Sequence, residues 1–135
     1  MIDLQKYTEF VHGVTSKYSE NTMDLLVRLA DLQHTTPNLN VSLAMTAAMG
    51  LPGEAGEFSE IFKKVFFHGD EFTEDKRAHA AKELGDIAWY WINGCRALNL
   101  DPNQIMADNV KKLESRYPGG KFSIEASANR AEGDI

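Results

Sequence analysis

The chain has 135 residues, 43% of them apolar and 25% charged, which fits one globular domain and excludes a largely disordered chain. A formal charge of -6 argues against a protein that grips nucleic acid through a positive face, so no nucleic-acid partner is expected. No apolar run reaches membrane-spanning length and the first residues, Met1 to Lys6, lack a basic stretch followed by an apolar one, so no membrane partner is expected and the cytoplasm is the expected location.

Apolar residues recur at helical spacing along the chain and strand alternation is nearly absent, which predicts an all-α bundle of about five helices. A first helix is expected over residues 3–18, with Leu4, Tyr7, Phe10, Val11 and Val14 on one side and Asp3 as its cap. A second, over 21–34, carries Met23, Leu26, Val27 and Ala30 and stops at Thr35-Thr36-Pro37-Asn38. The third spans 41–67 and holds Leu43, Ala47, Leu51, Phe58, Ile61, Phe62, Val65 and Phe66. Pro52 within it predicts a kink or a restart, because proline deletes a backbone hydrogen bond and collides with the preceding turn.

The fourth helix, over 74–98, has the most regular period, with Ala80, Ala81, Leu84, Ile87, Ala88, Trp91, Ile92 and Cys95 on one broad stripe. Cys95, the one cysteine, has no mate within the chain, and its apolar neighbours indicate a packed thiol. Asp101-Pro102 reads as the cap and first-turn proline of a last helix, which Pro118-Gly119-Gly120 stops after Tyr117. The expected organisation is one helical domain over 1–122 and a polar tail over 123–135, without internal repeats.

Two pairs of acids stand out, Glu54-x-x-Glu57 in the third helix and Glu83-x-x-Asp86 in the fourth. Helix positions three apart lie about 60° from each other, so each pair projects from one side. With Phe58 and Leu84 at the centres of their apolar stripes, packing the two helices would set four carboxylates along the seam. Like charges there repel, and hard oxygen donors of this kind suit Mg²⁺ or Mn²⁺. The alternative is the wet flank of two amphipathic helices, and spacing alone leaves both open.

The strings Gly50-Leu51-Pro52-Gly53-Glu54-Ala55-Gly56-Glu57 and Lys82-Glu83-Leu84-Gly85-Asp86-Ile87-Ala88-Trp89-Tyr90 resemble the two signature blocks of the MazG-like nucleotide pyrophosphohydrolases. That family is marked by Glu-x-x-Glu followed, after a variable interval, by Glu-x-x-Asp; here residues 58–82 form the interval. Asn109-x-x-Lys112-x-x-x-Arg116-Tyr117-Pro118 resembles a third block. The likeness covers about residues 44–122, and the tail resembles extensions on short phage-type members.

The resemblance implies an all-α nucleoside triphosphate pyrophosphohydrolase that cuts ribo- or deoxynucleoside triphosphates between the α and β phosphates, releasing a nucleoside monophosphate and pyrophosphate. Glu54, Glu57, Glu83 and Asp86 would hold Mg²⁺, with Mn²⁺ as a substitute, and one of them would orient the attacking water. Lys112 and Arg116, one turn apart, would grip phosphate oxygens, and Asn109 would read a base edge or sugar hydroxyl. Tyr90 lies on the acidic flank as a candidate for stacking, and Lys64 would neutralise phosphate charge unless it only pairs with Glu60 at i,i+4. The family also implies a homodimer or homotetramer with sites near a subunit interface, in the host cytoplasm if the chain is viral.

Two other readings compete. A ferritin-like metal protein needs two Glu-x-x-His repeats, and only Glu9-Phe10-Val11-His12 matches. A non-catalytic helical module would keep the fold and bind nucleotide or protein without turnover. His12, His34, His68 and His79 show no zinc spacing and read as lone surface side chains.

Overall fold

The computed structural model describes residues 3–128, all of whose regular structure is helical. Seven helices follow in order: α1 (Leu4–Val14), α2 (Lys17–Glu20), α3 (Thr22–Thr35), α4 (Val41–Phe67), α5 (Glu74–Ala97), α6 (Pro102–Arg116) and α7 (Ile124–Ala128). The all-α expectation holds at this level. The boundaries follow side chains that satisfy orphan N–H groups at helix starts. Asp3 Oδ1 accepts from the Gln5 and Lys6 amides, Asn21 Oδ1 from Met23 and Asp24, Asn40 Oδ1 from Leu43, and Asp101 Oδ1 from Asn103.

Two expectations need correction. The first helix does not run to Tyr18: Thr15 turns extended, and Ser16 opens the separate short α2 by accepting from the Tyr18 amide. Pro52 does not restart the third helix, which is unbroken from Val41 to Phe67. Residues 124–128 of the polar tail form α7; Met1, Ile2 and residues 129–135 lie outside the described residues.

The antiparallel pair α4 and α5 makes the principal packing interface, while α3 touches α2 and α4 more lightly. Small residues let the two long helices approach closely. A Cβ on Gly50 would fall 2.1 Å from the Tyr90 ring, and one on Gly94 would meet the Ala47 methyl at 3.7 Å. The buried apolar residues are Val41, Ala47, Ile61, Ala80, Cys95 and Ala97, so the thiol is packed as its neighbours indicated.

Both ends of the pair are fastened. At one end α4 closes at Gly69, whose φ of +76° suits a residue without a Cβ, and the Asp70 amide donates to the Lys64 carbonyl. Lys76 Nζ then holds the connection by donating to Asp70 Oδ2 at 3.0 Å and to the Glu71 carbonyl at 2.8 Å, while Phe72 stacks on Phe62 with centroids 5.7 Å apart. At the other end the Asn40 amide donates to the Ala97 carbonyl at 2.7 Å. Gln33 fixes the approach to α4, its Nε2 donating to the Leu39 carbonyl and its Oε1 accepting from the Val41 amide.

The stripe expected on α5 is rotated from its predicted centre. Leu84 is 53% exposed, whereas Glu83 is buried along with Ala80. The contact with α4 runs through the small side of α5, where Gly94 and Tyr90 meet Ala47 and Gly50, and this turns the leucine outward and the carboxylate inward.

Candidate metal centre

α4 contributes Glu54 and Glu57 to the seam, and α5 contributes His79, Glu83 and Asp86. Glu54, Glu83 and Asp86 each offer a carboxylate oxygen, and these three atoms lie within 4.8 Å of one another. Glu83 also belongs to a second group, in which ligand atoms of Glu57, His79 and Glu83 lie within 4.8 Å of one another. All four acids expected from the sequence are therefore gathered, with Glu83 common to both groups.

Their environments differ. Glu83 is buried, Glu54 half-buried, and Glu57 and Asp86 are exposed. The Glu83 side chain is only 7% exposed, and its Oε1 lies 2.8 Å from His79 Nε2. Burial pushes the Glu54 carboxyl above its ordinary range. A hydrogen bond shared with Glu83 and the charges of Glu57, Asp86 and Glu83 push it in the same direction. The charges that push it, those of Glu57, Asp86 and Glu83, are all negative, and a divalent cation would offset them. A cluster of carboxylate oxygens at this spacing is the donor set that hard cations take, so the residues present fit Mg²⁺ or Mn²⁺.

Beside the acids lies a cavity of about 270 Å³ lined by Glu57, Glu60, Ile61, Lys64, Lys76 and His79. Lys64 lies on its wall, and it also pairs with Glu60 at 3.7 Å, as the i,i+4 spacing predicted. Glu60 pairs with Lys63 too, and that hydrogen bond holds its carboxyl below the usual range. Tyr90 lies one turn past Asp86 with its ring against Gly50 and edge-on to Trp89, centroids 4.8 Å apart. Asn109 and Lys112 are exposed and Arg116 half-buried on α6. That helix has little contact with α4 and α5, so the packing that gathers the acids does not include it.

His79 was expected to be a lone surface side chain and is instead part of the acid cluster. Its i,i+4 spacing to Glu83 was the available signal, since that spacing puts both on one helix face. Lys76 was likewise missed, because its place on the cavity depends on the fold of residues 68–73. The Glu9-x-x-His12 match lies on α1, where His12 Nδ1 pairs with Glu20 at 2.6 Å.

No protein-family model and no solved structure matches the chain. "Gene 37 protein" of Mycobacterium phage L5 is similar to it, 36% identical over 73 residues that cover 53% of this chain and 64% of that protein. The chain therefore spans less than two thirds of the length of this phage relative, whose name states no activity. Among the described residues no helix is long and apolar enough to cross a membrane.

Proposed function

We propose that the chain is a divalent-cation-dependent nucleoside triphosphate pyrophosphohydrolase of the MazG-like kind, active in the cytoplasm, or that of the host if the chain is viral. The observation that supports this reading most is the convergence of Glu54, Glu83 and Asp86 from two helices onto one point, with the Glu54 carboxyl pushed up by its acidic neighbours. Glu57, on the same seam and on the wall of the cavity, completes the four acids that the sequence blocks share with that family.

In this reading Glu54, Glu83 and Asp86 hold Mg²⁺ or Mn²⁺, with Glu57 alongside. The cation supplies charge neutralisation for the triphosphate and Lewis-acid polarisation at the α-phosphorus. The chain's own groups do the rest. Glu83, buried and held by His79, keeps a fixed orientation. A carboxylate of the group takes the proton of a water whose oxygen bonds to the α-phosphorus, while the bond to the bridging oxygen breaks and pyrophosphate leaves with the electron pair. Lys64 and Lys76 on the cavity wall balance charge on the departing phosphates.

The phosphate-gripping roles proposed for Lys112 and Arg116, and base or sugar contact by Asn109, require α6 to approach an acid cluster that its own chain's packing does not bring to it. A homodimer or homotetramer supplies that approach, with α6 of one copy beside the α4–α5 pair of another.

The test is pyrophosphate release from a panel of ribo- and deoxynucleoside triphosphates with Mg²⁺ or Mn²⁺. Monophosphate and pyrophosphate are expected from the native chain, with turnover reduced on the order of 10³-fold in folded Glu57→Gln and Asp86→Asn variants. Undiminished nucleotide binding without turnover on any member of the panel would replace this reading with that of a binding module.

A further inference from the structure

The two groups on the α4–α5 seam share Glu83 and no other residue. One is made of carboxylates alone, and the other contains an imidazole nitrogen. A carboxylate has two oxygens and can offer one to each side. We propose that Glu57, His79 and Glu83 form a second divalent-cation position beside Glu54, Glu83 and Asp86. Glu83 bridges the two, and the His79 nitrogen makes the second position prefer Mn²⁺ to Mg²⁺. This inference rests on the reading of the carboxylate group as a cation site.

Three observations carry it. Neighbouring ligands about 2.1 Å from an octahedral ion stand about 3 Å apart, and His79 Nε2 is already 2.8 Å from Glu83 Oε1. The Glu83 side chain is more than nine-tenths buried and directed at that nitrogen, so the carboxylate is held in place on the seam. The cavity of about 270 Å³ opens on Glu57 and His79, leaving room for the water or phosphate oxygens that complete an open coordination shell. Mg²⁺ accepts nitrogen reluctantly, whereas Mn²⁺ and the later transition ions accept imidazole. The arrangement differs from a plain ion pair in one respect: as a ligand, His79 is neutral and bonds through nitrogen to the ion.

Electron spin resonance on the tag-free full chain, loaded with Mn²⁺ at about pH 8 where an ordinary imidazole is neutral, reads this directly. Binding of two Mn²⁺ per chain is expected, together with electron spin echo modulation from a directly coordinated ¹⁴N nucleus. In His79→Gln one Mn²⁺ should remain, the modulation should vanish, and affinity at the second position should fall at least about tenfold. Because His79 is more than half exposed, this change leaves the helix pair folded, which circular dichroism checks. Bound Mn²⁺ without nitrogen coupling, or coupling that persists in His79→Gln, would overturn the inference and leave the carboxylate site standing. Absence of bound Mn²⁺ altogether would overturn both.

Discussion

Glu54 shows how one side chain reports the state of the whole seam. Its carboxyl is pushed above the ordinary 4.5 by burial first, then by Glu83, Glu57 and Asp86. A folded-state pKa above the unfolded one means that the folded chain binds the proton more tightly. In a chelator, the contribution of Glu54 to stability is therefore least at neutral pH. It rises as pH falls through the raised folded value and is complete below the unfolded value of 4.5. Urea midpoints measured in EDTA should accordingly place Glu54→Gln above the native chain at pH 7, with the gap closing on acidification towards that lower value. A native chain that is the more stable at pH 7 would show that the acids are not in mutual repulsion. The identity of these residues was legible in the sequence because three-residue spacing fixes which acids share a helix side. The burial of Glu83 was not, since it depends on which side of α5 meets α4, and the apolar pattern centred on Leu84 pointed about one position away.

At the scale of the element, α4 and α5 are held at their mutual distance by residues that lack bulk. The Tyr90 ring occupies the space where a side chain at position 50 would begin. Gly50→Ala should therefore displace the ring and destabilise the fold by about 1–3 kcal/mol, measurable as a shift in the denaturant midpoint. Combining it with Tyr90→Ala should cost less than the sum of the two single changes, because the collision is then removed. Helix positions were readable to within a residue or two for α3 to α6, where Asn21, Asn40, Thr73 and Asp101 give capping signals. The break at Thr15 was not readable, since the apolar spacing continues past it and only Ser16 marks a new start. At Pro52 the sequence left a kink or a restart open, and α4 continues through it as one helix.

At the scale of the molecule, what one chain leaves uncovered matters more than what it buries. No large side chain among the described residues is fully buried, while Phe10 on α1, Val27 on α3 and Met49 on α4 remain 63%, 67% and 73% exposed. So much apolar surface in water is unfavourable, and covering it with a second copy is the economical remedy. Light scattering at micromolar concentration is expected to give two or four times the 15.1 kDa chain mass. A value of one chain mass would remove the oligomeric part of the proposed function and leave α6 without a route to the acids. The family resemblance read in the sequence implies an assembly, whereas which faces one chain leaves open depends on how its helices pack.

The Asn40 to Ala97 hydrogen bond gives the seam a natural gauge. Because this amide joins the start of α4 to the end of α5, the far end from the Lys76 clasp, it cannot exchange its hydrogen for deuterium until the helix pair parts at that end. Its exchange rate thus clocks how often the pair breathes, and adding a cation that ties α4 to α5 through their acids should slow that clock from a distance.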